Sequence, residues 1–559
     1  MPVIPLTAQV QWSIPDIPWG AISPELVLFG TGILVLLLET AGPHRLRASA
    51  LAFLAAAGGA AAGYGLTGEV TWPALLALAG LAQLALTATW RERPRVLSAL
   101  LSALGIVATL GVVAWQWQTL AGGELLATQS GLADMVAVDG VALFTRVTVL
   151  LAALVSIPLG WSYLETRRIH RAEYYPLLLF AAVGMNLLAS SQDLLMVFIS
   201  LEVLSLALYI LTGFAKRDLT SQEGALKYFL LGAFSSAILL YGIALSYGIA
   251  GTTNIPAVGA AVAAADTPAA LAVIAMALLI VGFAFKTALV PFHMWTPDVY
   301  QGAPTPVTGF MAAATKAAAF AAFLRIFVGA MGASQWSWIP ALWTLAAITM
   351  LVGAVLAVVQ DDLKRMLGYS AVAHAGYAAI GLIAATREGV SGTLFYLLVY
   401  AVMSVGAFGV LSMLERRQRR AVSISDLAGF GKRFPVPAGM LSLFLLSLAG
   451  IPGTAGFMGK LAVFRAGVFA GQWVLVVIAV LSSMIAAFFY IRVIRAMFME
   501  EEPSELAEVP LLTTPGISTG LAASWGALGF STGLGSGGFG TGVSCGTGFG
   551  SGFTSGFAT

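Results

Sequence analysis

About fifteen apolar segments follow one another through this chain, each long enough to cross the roughly 30 Å hydrocarbon core of a bilayer. They run approximately over 23–42, 48–66, 73–90, 96–118, 139–163, 174–190, 194–214, 222–250, 268–300, 305–330, 338–359, 367–386, 390–414, 435–470 and 473–499. Inside lipid every backbone polar group must find its partner within the protein, which leaves only helices or closed barrels. Barrel strands would alternate polar and apolar residues in short segments, and these runs do not. Of the 559 residues, 59% are hydrophobic and only 10% are charged, against about 25% charged in soluble proteins. The expected fold is all-α: a polytopic membrane protein of about fifteen transmembrane helices.

Two of the segments are too long for one straight helix and carry breakers. The ninth has Lys286 followed by Pro291 and Pro297, and the fourteenth has Gly450, Pro452, Gly453 and Gly456 before Lys460. Proline removes a backbone donor and clashes with the preceding turn. Such an interruption at membrane depth is tolerated only where protein or water satisfies the freed groups. Spans six to ten and eleven to fifteen form two sets of five, and the fourth span of each set is the broken one. Five is odd, so the second set is expected to be inverted relative to the first, a transporter pattern.

Loop charge sets the orientation. With the N-terminus outside, the loops after odd-numbered spans hold nearly all the cations, including Arg45, Arg91, Arg167, Lys216, Arg217, Lys364, Arg365, Arg416 and Lys432. The loops after even-numbered spans hold only Arg387. The positive-inside rule then makes the odd side cytoplasmic. A single cysteine, Cys545, excludes a disulfide framework, an iron–sulfur cluster and a cysteine zinc site. The four histidines, His44, His170, His293 and His374, lack metal-ligand spacing. There is no Walker loop, no dinucleotide fingerprint and no cleavable signal with a basic start. The chain is therefore expected neither to consume nucleotide nor to carry a redox centre. Residues 512–559 are rich in Gly, Ser, Thr and Phe without one charge. Such a composition cannot pack a core; a disordered tail is the plain expectation and a shifted reading frame the other.

The chain has seven lysines, and four of them, Lys227, Lys286, Lys316 and Lys460, lie inside apolar runs, as does the lone acid Glu202. A charge at the bilayer centre costs about 2.5–3.5 kcal/mol on insertion scales. Such residues persist when they pair, line water or move protons. Nothing within a helical turn can neutralise Glu202, so its partner is expected from another helix. Lys227 stands four residues after Glu223, a spacing that also suits a local salt bridge. Lys286 lies one turn before the first break, where freed carbonyls and water could solvate its ammonium. Burial favours the neutral amine and a nearby carboxylate the ammonium, so a lysine held between both can load and release a proton. Lys316 sits among small alanines that leave room for close helix contact. Lys460 follows the second break. His293 and His374 could relay protons or be hydrogen-bonded core histidines. Asp139 and Arg146, two turns apart, are expected to form a structural pair.

At these residues the sequence resembles a known family. The run Lys286-Thr-Ala-Leu-Val-Pro-Phe-His293-Met-Trp-Thr-Pro-Asp298-Val-Tyr-Gln-Gly-Ala-Pro304 is similar to the antiporter-like membrane subunits of respiratory complex I. So are Leu201-Glu202-Val-Leu-Ser-Leu, Leu367-Gly-Tyr-Ser-Ala-Val-Ala-His374 and Leu448-Ala-Gly-Ile-Pro452-Gly-Thr-Ala-Gly-Phe-Met-Gly-Lys460. The likeness covers roughly 139–499, and Lys460 separates it from the M branch of the family, which is expected to carry glutamate there.

The resemblance implies a proton-translocating membrane-arm subunit with Glu202 and Lys286 as the working pair of a first half-channel. It implies that Lys227 and Lys316 continue the polar axis, and that Lys460 opens a second half-channel with His374 nearby. It implies no cofactor in this chain; NADH, FMN, iron–sulfur clusters and quinone belong to other subunits. Implied partners are the antiporter-like subunit M, the small subunits K, J and A, and the lipid bilayer, with no nucleic acid. The implied location is a bacterial plasma (inner) membrane. Expected divisions are N-terminal helices over 1–138, a link over 139–173, half-channels over 174–330 and 338–499, and a tail over 500–559. Two helices within 66–118 look inserted relative to the family, and the tail stands where its last helix should follow. The alternatives are a subunit of a multi-subunit sodium/proton antiporter, which shares the fold, and a scaffold subunit that transports nothing.

Overall fold

The computed structural model describes residues 19–40, 94–122, 134–169, 171, 173–264, 269–418 and 423–501. The expected spans at 48–66 and 73–90, His44, His170 and the tail at 512–559 lie outside the described residues. Within them the chain is helical, with no strand and only isolated bridges such as Val136 to Ser191. Eleven of the described helices are long and apolar enough to cross a membrane, and two shorter apolar ones, Tyr174–Ser190 and Pro435–Ala449, accompany them.

The order is α1 (Trp19–Thr40), α2 (Pro94–Ala121), α3 (Gly140–Arg167), α4 (Tyr174–Ser190), α5 (Leu194–Thr212) and α6 (Leu219–Ala250). Then come α7 (Ile255–Ala263), α8 (Ala269–Thr287), α9 (Trp295–Gly302), α10 (Thr305–Ala330) and α11 (Gln335–Val358). The chain continues through α12 (Leu363–Ile383), α13 (Arg387–Gln418), α14 (Pro435–Ala449), α15 (Ala455–Phe469) and α16 (Trp473–Met499). Aspartates start several of them. The side chains of Asp139, Asp193, Asp218 and Asp362 accept from backbone N–H groups in the first turns of α3, α5, α6 and α12, satisfying donors that a helix cannot pair internally.

Both long segments are broken where the breakers stand. α8 ends at Thr287, Ala288 turns through φ 65°, and α9 begins at Trp295. α14 ends at Ala449, Gly450 caps it at φ 84°, and α15 begins at Ala455. Each set of five spans thus carries its interruption at the fourth position. Two features had no sequence signal: the short α7, and the π-helical turns Met311–Thr315 and Leu324–Ala330 inside α10.

α10 and α12 are almost wholly buried and form the centre of the bundle. α11 packs along α12, α8 along α6, and α9 lies against both α6 and α12. The outer faces remain apolar, as Phe234 on α6 (69% exposed) and Met484 on α16 (66%) illustrate; in a membrane such side chains meet lipid or neighbouring helices rather than water.

The expected pairing of Asp139 with Arg146 is not formed. Seven residues along a helix is about 10 Å of rise, too far for contact. Arg146 instead lies 2.8 Å from Glu25 on α1, donates to Gln116 Oε1 on α2 at 3.0 Å, and is fully buried. Asp139 pairs with Arg325 of α10 at 2.7 Å. Both contacts are interhelical and tie α3 to its neighbours.

Candidate functional site

Three of the four lysines are buried side chains in the bundle interior: Lys286 and Lys316 are each 2% exposed and Lys460 is 5% exposed. An ammonium in that setting needs hydrogen-bond acceptors, and each has them. Lys286 Nζ donates to Ser205 Oγ on α5 at 2.7 Å and to the Tyr228 hydroxyl on α6 at 3.3 Å. The rings of Tyr228 and Tyr209 stand 5.3 and 5.9 Å from it, within the range of cation–π attraction. The acceptors are side-chain hydroxyls. At the break itself the Phe285 carbonyl takes the Trp295 indole N–H at 3.0 Å.

At the second break the freed carbonyl does serve. Lys460 Nζ donates to Ala449 O at 2.9 Å and to Ser483 Oγ at 2.7 Å, and lies 4.9 Å from the Tyr377 ring. Lys316 Nζ donates to the Ala371 carbonyl of α12 and faces the Tyr400 ring at 5.8 Å.

His374 stands between these two lysines. Its Nδ1 meets the Tyr396 hydroxyl at 2.5 Å and its Nε2 the Tyr490 hydroxyl at 3.2 Å. Its ring lies 5.0 Å from Tyr400, which faces Lys316, and 5.4 Å from Tyr377, which faces Lys460. Ring contacts through Tyr400 and Tyr377 thus place Lys316, His374 and Lys460 in one aromatic cluster. A phenol both donates and accepts, so the Tyr396 and Tyr490 hydroxyls can each give a proton to, or take one from, the imidazole. Each tyrosine, read singly in sequence, looks like core; only the convergence of Tyr377, Tyr396, Tyr400 and Tyr490 on one imidazole gives them a role.

The remaining expected residues fall differently. Glu202 is half-buried on α5, one turn from Ser205, within electrostatic reach of Lys286. Its Oε1 is buried without a hydrogen-bond partner, and among the described residues no ion pair joins it to a lysine. The partner expected from another helix is thus near but not in contact. Lys227 is not an interior lysine: its side chain is 42% exposed and pairs with both Glu223 and Asp298 at 2.6 Å. It sits in the third turn of α6, near the end of the bundle, which is why carboxylates from two elements reach it. His293 is half-buried in the first break; its Nδ1 has no partner and its ring is 6.3 Å from Tyr369, away from the lysine array. No hydrogen bond or ring contact among the described residues joins Lys286 to Lys316. Sequence reasoning also passed over the buried ion pair of Lys364 with Glu415, 3.3 Å apart, because Lys364 stands in a segment read as a cytoplasmic loop. No cluster of metal-ligating side chains occurs among the described residues.

A helical bundle with two interrupted helices, each bearing a buried lysine, and a tyrosine-lined histidine between lysines defines the class of antiporter-like membrane subunits. Residues 191–486 match the family described as NADH:quinone oxidoreductase/Mrp antiporter, TM. NADH-quinone oxidoreductase subunit N of Rhodococcus opacus is 44% identical over 92% of this chain and 93% of its own length. A chain of respiratory complex I from Thermus thermophilus superposes with a TM-score of 0.63 and 36% identity, covering 81% of this chain and 95% of that one. A chain of the Mrp complex from Dietzia sp. gives a TM-score of 0.63 at 25% identity over 76% of this chain and 79% of its own. The chain belongs to the subunit N family of NADH-quinone oxidoreductases, a membrane subunit of a multi-subunit assembly.

Proposed function

We propose that this subunit carries protons through the interior groups just described. Glu202 and Lys286 form the loading pair of the first half-channel over 174–330, and Lys227 and His293 lie on the approaches to it. Lys316 is the central site, and His374 passes the proton between Lys316 and Lys460 in the second half-channel over 338–499. The helices over 1–138 and the link over 139–173 serve as the frame. A charge change at one buried group acts on the next through an interior of low dielectric, so an electrostatic push at one end can drive protons along the array.

Moving one charge against 100 mV takes about 2.3 kcal/mol. Nothing in this chain supplies that energy. In this reading it comes from NADH oxidation and quinone reduction in other subunits, which hold the FMN, the iron–sulfur clusters and the quinone. The partners are the antiporter-like subunit M and the small subunits K, J and A. The setting is a bacterial plasma membrane, with the N-terminus outside and the cation-rich loops inside.

The observation that supports this most is the clustering of buried Lys316, His374 and Lys460 around Tyr377 and Tyr400, with the imidazole bonded to the Tyr396 and Tyr490 hydroxyls. A scaffold subunit would gain nothing from interior lysines, which cost stability. The likeness to subunit N, far above that to the Mrp chain, favours redox-driven pumping over a sodium/proton antiporter. The test is Glu202→Ala and Lys286→Ala in the whole complex: quinone-linked NADH oxidation and proton pumping should both fall while the complex still assembles. Normal pumping by both assembled variants would refute the assignment.

A further inference from the structure

Beside the ring contacts that gather Lys316, His374 and Lys460 runs a chain of hydrogen bonds. The Tyr396 hydroxyl of α13 meets His374 Nδ1 at 2.5 Å, and the Tyr490 hydroxyl of α16 meets Nε2 at 3.2 Å. Tyr490 is bonded in turn to the hydroxyl of Ser370, which stands one turn before His374 on α12. All four side chains are buried. Ser156, Ser246 and Ser442 turn their hydroxyls back to the carbonyl four residues earlier in their own helices, the common habit of a helical serine. Ser370 does not. Among the described residues its hydroxyl bonds only to Tyr490.

Counting protons shows what the chain can do. A neutral imidazole has one N–H and one bare nitrogen, and each hydroxyl has one proton. With Nδ1 protonated, Ser370 donates to Tyr490, Tyr490 donates to Nε2, and Nδ1 donates to Tyr396. The Tyr396 proton is then left over. With Nε2 protonated every bond reverses and the Ser370 proton is left over. Both arrangements satisfy all three bonds, so the chain has two directions and differs between them by which end holds a proton to give. The ends lie beside the two lysines. Ser370 precedes Ala371, whose carbonyl holds the Lys316 ammonium. Tyr396 packs on Gly459, where a Cβ would stand 3.1 Å from its ring, and Gly459 precedes Lys460 on α15.

We propose that Ser370, Tyr490 and Tyr396 are the relay groups that carry a proton through His374 from the Lys316 side to the Lys460 side. The idea rests on the reading of those lysines as a proton path. The Lys316 ammonium gives a proton to Ser370 Oγ, and Ser370 passes its own to Tyr490. Tyr490 protonates Nε2 while Nδ1 gives its proton to Tyr396, and the Tyr396 proton goes to the amine of Lys460. One N–H bond breaks at Lys316 and one forms at Lys460. Each group between them ends with as many protons as it began with, and the chain points the other way.

The experiment compares Ser370→Ala, Ser370→Thr, Tyr490→Phe, Tyr396→Phe and the double variant Ser370→Ala/Tyr490→Phe with Ser442→Ala and Lys316→Ala, all in the intact complex and per amount of assembled complex. Removing a positioned proton-transfer group slows its step about 10²–10⁴-fold. Tyr490→Phe and Tyr396→Phe, which keep the ring and lose only the hydroxyl, and Ser370→Ala should each lower NADH-driven proton translocation at least about tenfold. The double variant should be no worse than Tyr490→Phe, because residues that act as one unit do not add their losses. Ser370→Thr keeps a hydroxyl and should retain most of the rate. Ser442→Ala, which removes a hydroxyl bonded within its own helix, should be normal. Hydroxyls that only brace the helices would instead lower assembly and would not give this ordering. Normal translocation by Tyr490→Phe, or by Ser370→Ala where Tyr490→Phe does not assemble, overturns the relay alone if Lys316→Ala is defective. Losses that multiply in the double variant overturn it too. Normal translocation by Lys316→Ala overturns the proton path beneath it.

Discussion

The turn that breaks the second long segment sets Lys460 in place, and a single methyl group tests this. Gly450 has φ 84°, and a Cβ there would stand 2.9 Å from Lys460 Cδ and 3.2 Å from its Nζ. Gly453, in the same turn, has φ 90° with no atom within 4 Å of where a Cβ would lie. Gly450→Ala and Gly453→Ala therefore carry similar backbone strain, about 1–2 kcal/mol for a left-handed L-residue. Only the first displaces the lysine. The clashing atoms are the far end of a flexible side chain, so the fold yields at Lys460 rather than in the backbone. The ammonium then leaves its bonds to Ala449 O and Ser483 Oγ, each of about 1.5–3 kcal/mol for a charged donor. A shift of 1.36 kcal/mol in a barrier is about tenfold in rate. Gly450→Ala should thus assemble like Gly453→Ala but translocate protons at least about tenfold more slowly. The assay is NADH-driven acidification of inverted membrane vesicles, normalised to assembled complex. Equal translocation by the two variants would refute the claim that this turn positions Lys460 for its task.

Two further outcomes follow from packing. Arg146→Met leaves Glu25 buried without its cation and should destabilise the N-terminal helices by about 3–5 kcal/mol, while adding Glu25→Leu should recover most of the loss; thermal melting of the purified complex reads both. Gly232→Ala places a Cβ 1.9 Å from the Tyr209 hydroxyl, beside Lys286. Overpacking of that kind costs about 1–3 kcal/mol and should slow proton translocation, whereas Gly248→Ala, with open space around it on the same helix, should leave it unchanged.

Much of the architecture is legible in the sequence because the bilayer imposes it. Apolar length marks the helices, and Pro291 and Gly450 mark the interruptions. α7 escapes notice because nine residues are too few to span. The π turns of α10 escape because neither Met311–Thr315 nor Leu324–Ala330 holds a proline that would mark them. The buried lysines are visible one by one, since each violates its surroundings. Their partners are not, because hydroxyls such as Ser205 and Tyr228 are at home in an apolar helix and reveal themselves only in three dimensions. The misassigned pairing of Asp139 with Arg146 shows the same limit. Spacing along one helix suggests a face, but ion pairs inside a bundle form between helices. Lys227 looked interior for the reason that its run is apolar, yet its place near a helix start brings it to Asp298.

Proton translocation by complexes carrying Lys316→Ala measures the central claim most directly, because this lysine is the proposed central site and contacts Ala371 and Tyr400. NADH-driven pumping per assembled complex should collapse together with quinone-linked NADH oxidation. Full pumping in an assembled Lys316→Ala complex would mean that protons cross by some other route.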